Sequence, residues 1–315
     1  MKKKNASAAA ELLTVRDFVR YAVSRFNEEK IFYGHGTDNA FDEAVFLVLD
    51  TLSLPIEQLE PYYDARLLAA ERMRLFKSIE ARAVTRKPVS YITNRAWLKG
   101  VPFYVDERVI VPRSYLGEMI GRVLSGEDEN FLLMEDMSGV GRVLDLCTGS
   151  GCLAIMAAYL FEGAEVDAVD LSKDALDVAK INVKDHGLQD RVHLYKGDLF
   201  QPLKGKKYDL IITNPPYVDA AGMSDLPQEY AHEPRMALAA GKDGLDIVRR
   251  ILKEAPAHLN PGGVLLCEVG ESGAIMNDAF PDLPFLWLDT ETSEGEVFCL
   301  TREQLVKKGR RAAAS

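Results

Sequence analysis

The sequence predicts an α/β protein: a mostly parallel sheet covered by helices on both faces, preceded by a small helical bundle. Two observations carry this. After residue 114, seven short apolar runs alternate with helical stretches: "GRVLDLC", "AEVDAVD", "RVHLY", "YDLIIT", "GGVLLCEV", "FLWLD" and "EVFCLT". Alternating units of this length imply parallel strands joined by crossover helices. Toward the N-terminus, apolar residues recur instead at three- and four-residue steps, the helical period.

The elements follow in order. In "TVRDFVRYAVSRF" residues Val15, Phe18, Val19, Ala22, Val23 and Phe26 form one apolar stripe, with Thr14 as N-cap. A second helix follows Asp38 through "AFDEAVFLVLDTL", and a third spans about Arg66 to Arg82, with Leu68, Phe76 and Ile79 facing a shared core. From Pro88 the segment "PVSYITNRAWLKGVPFYVDERVIVPRS" reads as a strand-rich connector, with Lys99-Gly100 as a hairpin turn. A helix after Ser114 leads through the acidic stretch "SGEDENFLLMEDMSG" into the alternating units. The expected organisation is a helical substrate-recognition domain over 1–88, a hairpin connector over 89–113, a catalytic domain over 114–304 and a disordered basic tail over 305–315.

Of the 315 residues, 47% are hydrophobic and 27% charged, enough for a sizeable core. No run approaches the roughly 18 apolar residues of a membrane span, and the start "MKKKNASAAAELL" lacks a secretory signal's apolar stretch, so the expected location is the cytoplasm. Cys147, Cys152, Cys267 and Cys299 show no C-x-x-C spacing, and neither zinc nor a disulfide framework is expected. A net charge of −10 argues against a protein whose affinity comes from neutralising phosphates and favours a basic partner. The basic ends, "MKKK" and "VKKGRRAAAS", read as mobile, solvated tails.

In "VLDLCTGSGCLAI" an apolar strand leads into Gly149 and Gly151 and then a helix, the pattern that lets backbone approach a ligand at the first strand-to-helix turn. "AEVDAVDLS" ends a strand in Asp170, whose carboxylate can accept from both ribose hydroxyls. Asp198 in "YKGDLF" ends the next strand, placed to meet an adenine amine. A nicotinamide or flavin site is not excluded by spacing, because Ala154 stands where the dinucleotide pattern tolerates it. Asp145 favours a ligand with a cationic group, and S-adenosyl-L-methionine carries an ammonium and no phosphate.

"TNPPYVD" ends the strand that begins near Tyr208, since proline has no N–H to give a central strand. One proline would suffice as a terminator; two, with an amide before and an aromatic ring after, suit a planar nitrogen. Such a nitrogen is a poor nucleophile because its lone pair is delocalised, and its two hydrogens need two acceptors. The Asn214 side-chain oxygen and the Pro215 carbonyl can supply them, and Tyr217 can stack on the flat group. In-line positioning toward an activated methyl is then the main task, and no strong general base is demanded.

The succession D-L-C-T-G-S-G, V-D-L-S, G-D-L-F, N-P-P-Y resembles the class I S-adenosylmethionine-dependent methyltransferases. "RKPVSYITNRAWLKGVPFYVDERVIVPRS" and "YVDAAGMSDLPQEYAHEPRMALAAGKDGLDIVRRIL" narrow the resemblance to HemK-type protein glutamine methyltransferases. "NRAWLKGVPFYVDERVIVPRS" and "MSDLPQEYAHEP" look most like the PrmB branch, whose members methylate a glutamine of large-subunit ribosomal protein three; the release-factor branch has a different connector after its Pro-Arg. The resemblance covers about Phe18 to Arg302. It implies a Rossmann-like seven-stranded sheet with an antiparallel last strand and a catalytic set of Asn214, Pro215 and Tyr217. The implied cofactor set is Asp145, Thr148, Gly149, Gly151, Asp170, Asp198 and Asn214. His232 and Glu233 in "AHEP" fall near the slot, and the lone loop histidine is read as structural. The alternatives are a release-factor glutamine or, less favoured for want of a basic target-recognition region, an exocyclic base amine. Neither stable nucleic-acid binding nor a membrane partner is expected.

Overall fold

The computed structural model describes residues 9–127, 139–290 and 294–306. The chain forms two compact units. The first comprises residues 1–96 with 227–232; the second comprises 97–226 with 233–315.

The first unit is built from α1 (Val15–Glu28), α2 (Ala40–Thr51), α3 (Ala69–Thr85) and the short α4 (Val89–Thr93). Thr14 caps α1 in a reciprocal box: its hydroxyl accepts from Asp17 N at 3.2 Å, and Asp17 Oδ2 accepts from Thr14 N at 2.9 Å. Phe18, Phe26, Leu47, Phe76 and Ile79 meet in one core. The third helix starts three residues later than the apolar spacing suggests. Leu68 becomes its N-cap residue and is 70% exposed, not a core residue, because its extended backbone takes it off the buried helical stripe. A buried charge network crosses this unit. Arg82 Nε donates to Glu43 Oε1 at 2.6 Å and Arg82 Nη2 to the Phe32 carbonyl at 2.8 Å. Glu229 accepts from Phe32 N at 2.9 Å, pairs with Arg86 Nε at 3.1 Å, and so ties segment 227–232 to the helices.

The connector is less strand-rich than its composition suggests. Val89–Thr93 is a helical turn whose Val89 packs into the bundle core, so burial outweighs the β preference of this Val-Ser-Tyr-Ile-Thr run. The hairpin itself is present as β1 (Arg95–Leu98) and β2 (Val101–Tyr104), turning through Lys99 (φ 46°) and Gly100 (φ 79°) as the pair suggests.

In the second unit α5 (Tyr115–Leu124), capped by Ser114, precedes the sheet. The strands are β3 (Arg142–Leu146), β4 (Glu165–Asp170), β5 (Val192–Lys196), β6 (Tyr208–Thr213), β7 (Leu259–Glu268), β8 (Leu286–Leu288) and β9 (Val297–Thr301). All seven lie where the apolar runs place them. Their order is β5-β4-β3-β6-β7-β9-β8, with β9 antiparallel to both neighbours and the other pairs parallel. Val143, Leu210 and Ile212 belong to one core; Leu144, Ile211 and Leu265 belong to the other. This alternation buries both faces, under α6 (Cys152–Leu160) and α7 (Lys173–Asp185) on one side. After a short helical turn, α8 (Gly222–Asp225), come α9 (Asp246–His258) and α10 (Gly273–Ala279), which cover the other side. Leu305 is buried in that second core, so packed chain reaches into the segment read as a tail. The rest of that tail beyond Val306, the basic start and most of the acidic stretch lie outside the described residues.

The strand order reverses at β3, which has β4 on one side and β6 on the other. In open α/β sheets the crevice outside the carboxyl ends of the strands at such a point is where ligands bind.

Candidate active site

Every residue of the crevice belongs to the second unit. Its wall includes Cys147 and Gly149 after β3, Asp170 and Leu171 at the end of β4, Asp198 after β5, and Asn214 and Pro216 after β6. Arg108, from the loop after β2, is the cation among the described lining residues. Asp106 holds it, accepting from Arg108 Nε at 2.8 Å and Nη2 at 2.6 Å. Those bonds keep the Asp106 carboxyl below the usual carboxylate range.

The loop after β3 turns sharply, with Cys147, Gly149 and Gly151 all at positive φ (59°, 54° and 81°). Gly149 has open space where a side chain would project, whereas a Cβ on Gly151 would come within 3.2 Å of Ala179 Cβ. Gly149 therefore leaves room on the crevice side, and Gly151 lets α6 pack closely on α7. Asp170 ties two turns together: Oδ2 accepts from Gly149 N at 2.9 Å and Oδ1 from Ser172 N at 2.8 Å. Each oxygen keeps a second lone pair for a ligand. Burial raises its pKa against the effect of these bonds.

Asp145 and Thr148 lie behind the wall. Asp145 is fully buried; its Oδ2 accepts from Thr148 Oγ1 at 2.5 Å and from Ala154 N at 3.1 Å. Its Oδ1 is buried with no hydrogen-bond partner, and desolvation pushes the carboxyl up to about 7. Asp198 Oδ1 pairs with Arg250 Nη2 at 2.8 Å.

The N-P-P-Y segment leaves β6 at Thr213, whose hydroxyl donates to the Leu146 carbonyl at 2.9 Å. Asn214 Nδ2 donates to the Arg113 carbonyl at 3.3 Å, which turns Oδ1 away from that contact. The Tyr217 ring lies against Gly270, where a Cβ would be 2.6 Å from Tyr217 Cε2, and its hydroxyl donates to Glu268 Oε1 at 3.5 Å. Tyr217 is thus not among the residues lining this crevice, and burial beside Glu268 raises its pKa.

Four further residues surround this loop. Arg113 donates through Nη1 and Nη2 to Glu233 Oε1 and Oε2, both at 2.6 Å. Ser114 Oγ donates to Glu268 Oε2 at 2.6 Å. Arg113 and Glu233 lie in the "VPRS" and "AHEP" segments, and neither carries an expected role. Glu268, an acid at a strand's carboxyl end like Asp170, could have been found by the same rule. His232 bonds the Thr85 carbonyl through Nε2 at 2.8 Å, a structural contact.

The residues suit a nucleoside sulfonium. Acceptors stand at two strand ends, Leu171 and Leu199 supply apolar wall, and Arg108 offers a cation to a carboxylate. A pyrophosphate would meet two wall carboxylates.

Residues 129–279 match the family described as "Methyltransferase small domain". A ribosomal protein uL3 glutamine methyltransferase of Bradyrhizobium diazoefficiens is 56% identical over 94% of this chain and 92% of its own. Relatives of the same name are 54% identical in Neisseria gonorrhoeae, over 95% of this chain and 98% of theirs, and 53% identical in Burkholderia pseudomallei, over 93% and 95%.

Proposed function

The chain belongs to the ribosomal protein uL3 glutamine methyltransferase family, and from that premise we propose how its crevice works. The enzyme methylates the side-chain amide nitrogen of a glutamine in ribosomal protein uL3, with S-adenosyl-L-methionine as methyl donor. The donor supplies a methyl group activated on a positively charged sulfur. Asp170 would hold the ribose hydroxyls, Asp198 the adenine amine and Arg108 the carboxylate, with Asp145, Thr148, Gly149 and Gly151 shaping the loop beside the ammonium.

Asn214 carries the reading. With Nδ2 given to the Arg113 carbonyl, its Oδ1 is the atom available to accept from the substrate amide. The Pro215 carbonyl accepts the second hydrogen. Held by both, the glutamine nitrogen turns its lone pair toward the methyl carbon, and such alignment is worth up to ~7–11 kcal/mol in well-oriented systems. With that donor bound, the nitrogen would form its N–C bond as the S–C bond breaks, the electron pair would stay with sulfur, and one N–H proton would pass to solvent. Tyr217 supports this loop through Glu268 and Gly270 and borders the glutamine slot.

The helical unit is the proposed platform for the protein substrate. Its own charges nearly balance, so the acid excess behind the net −10 sits in the catalytic unit and would draw the basic substrate to the crevice. The reaction belongs in the cytoplasm, where ribosomal proteins are made, and requires no stable hold on nucleic acid. The test incubates the enzyme and labelled cofactor with purified uL3, a translation release factor and duplex DNA. Label on one uL3 glutamine, incorporated more slowly as ionic strength rises, is expected. Label chiefly in the release factor, or in DNA, would overturn the assignment.

A further inference from the structure

An asparagine amide is two-faced: its oxygen accepts, its nitrogen donates, and the two ends are nearly the same size. For Asn214 the choice matters, because a flipped amide would aim N–H groups at a substrate nitrogen that itself presents N–H groups. The contact that decides the choice is Nδ2 to the Arg113 carbonyl, and that carbonyl belongs to a strongly held segment. Pro112 precedes Arg113 with a fixed φ. Arg113 closes a two-point fork onto Glu233 at 2.6 Å for each bond, and its Nη1 also donates to the Val111 carbonyl at 3.2 Å. Glu233 Oε1 accepts from Val111 N as well, at 2.9 Å. One residue on, the Ser114 hydroxyl caps α5 and donates to Glu268.

Glu233 has a side chain with no solvent exposure, and it stands 120 residues from the arginine it grips. Burying a carboxylate costs free energy unless its charge and lone pairs are met, and here one fork and one backbone N–H meet them. Neither Arg113 nor Glu233 lines the crevice.

We propose that Arg113 and Glu233 are positioning residues for methyl transfer: their ion pair fixes the Arg113 carbonyl, which fixes the direction in which Asn214 presents its amide. The inference rests on the reading of Asn214 as the acceptor that grips the substrate nitrogen. It assigns the pair an effect on the methyl-transfer step and none on cofactor affinity. Lysine cannot replace Arg113, because a single ammonium cannot make the two-point fork.

The test compares Glu233→Gln, Arg113→Lys, Asn214→Ala and the double variant Asn214→Ala/Glu233→Gln. It measures single-turnover methylation of uL3, KM for uL3, cofactor affinity by calorimetry, and thermal melting. Glu233→Gln and Arg113→Lys should each slow single turnover on the order of 10²-fold, the loss that a misplacement of about 1 Å can carry. Cofactor affinity and KM should stay within about twofold, the pattern of an interaction felt in the transition state alone. The double variant should be no slower than Asn214→Ala, since both lesions act through one amide. Near-normal turnover in Asn214→Ala would overturn the reading of Asn214 itself. An inactive Asn214→Ala beside a near-normal Glu233→Gln would overturn only the positioning role. Equal loss of turnover and cofactor binding in the Glu233 and Arg113 variants would also overturn it, by marking the pair as general scaffold. Should Glu233→Gln fail to fold, Arg113→Lys, which keeps the charge pair, carries the same comparison.

Discussion

Asp170→Ala tests the cofactor end of the crevice most directly. The carboxylate accepts from Gly149 N at 2.9 Å and Ser172 N at 2.8 Å, one bond to each oxygen. One lone pair on each oxygen then remains for the two ribose hydroxyls. Hydrogen bonds to a charged acceptor are worth roughly 1.5–3 kcal/mol each, so losing two removes about 3–6 kcal/mol. At about 1.4 kcal/mol per tenfold, cofactor affinity should fall roughly 10²- to 10⁴-fold. Asp170→Asn should also lose affinity, because its NH₂ would face one of the two backbone N–H donors and only one acceptor end would remain. Titration calorimetry with S-adenosylmethionine, below the melting transition of each variant, reads both numbers. An affinity for Asp170→Ala within about threefold of the unsubstituted enzyme, well under the ~1.5 kcal/mol of a single such bond, would refute the ribose assignment.

Gly244→Ala should disturb the substrate loop from a distance: at φ 76° its Cβ would lie 2.4 Å from the Tyr217 carbonyl oxygen, so turnover should fall alongside the melting temperature. In the helical unit, Arg82→Ala leaves the buried Glu43 without its fork, and urea unfolding should report a loss of about 3–5 kcal/mol. Glu268, desolvated between Ser114 and Tyr217, is raised from 4.5 to about 7, so the folded state holds its proton more tightly than the unfolded chain does. Its stabilisation is complete below the unfolded value and is lost as pH rises through about 7. Glu268→Gln should flatten the stability profile between these limits, with Asp145, raised to about 7 by burial, supplying the remaining slope.

Much of this molecule is written locally. The inner strands of the large sheet are apolar runs buried on both faces, and such runs are recognisable without knowing their neighbours. Asp170 and Asp198 are legible because an acid at or shortly past the end of a strand stands at the carboxyl edge of a parallel sheet, where ligands bind. The two prolines after Asn214 mark where β6 must stop and which atoms stand there. Local reading failed where a neighbour in space, not in sequence, decided the outcome. Leu68 belongs to an apolar stripe but falls on a capping position, and Val89–Thr93 has a strand's composition but is drawn into a helical turn by the bundle core.

The fold class and the position of the crevice at the carboxyl ends of the strands are legible along the chain, because each rests on residues adjacent in sequence. Which way Asn214 faces is set by contacts remote in sequence. Nothing local to Thr213–Tyr217 chooses between the two ends of that amide. The choice comes from the Arg113 carbonyl, 101 residues away, held in turn by Glu233. The same folding turned the Tyr217 ring onto Gly270 and its hydroxyl onto Glu268, 51 residues distant. A hydrogen bond between groups so far apart in sequence leaves no periodicity or spacing to read. It exists only once the sheet brings the ends of β6 and β7 beside the connector.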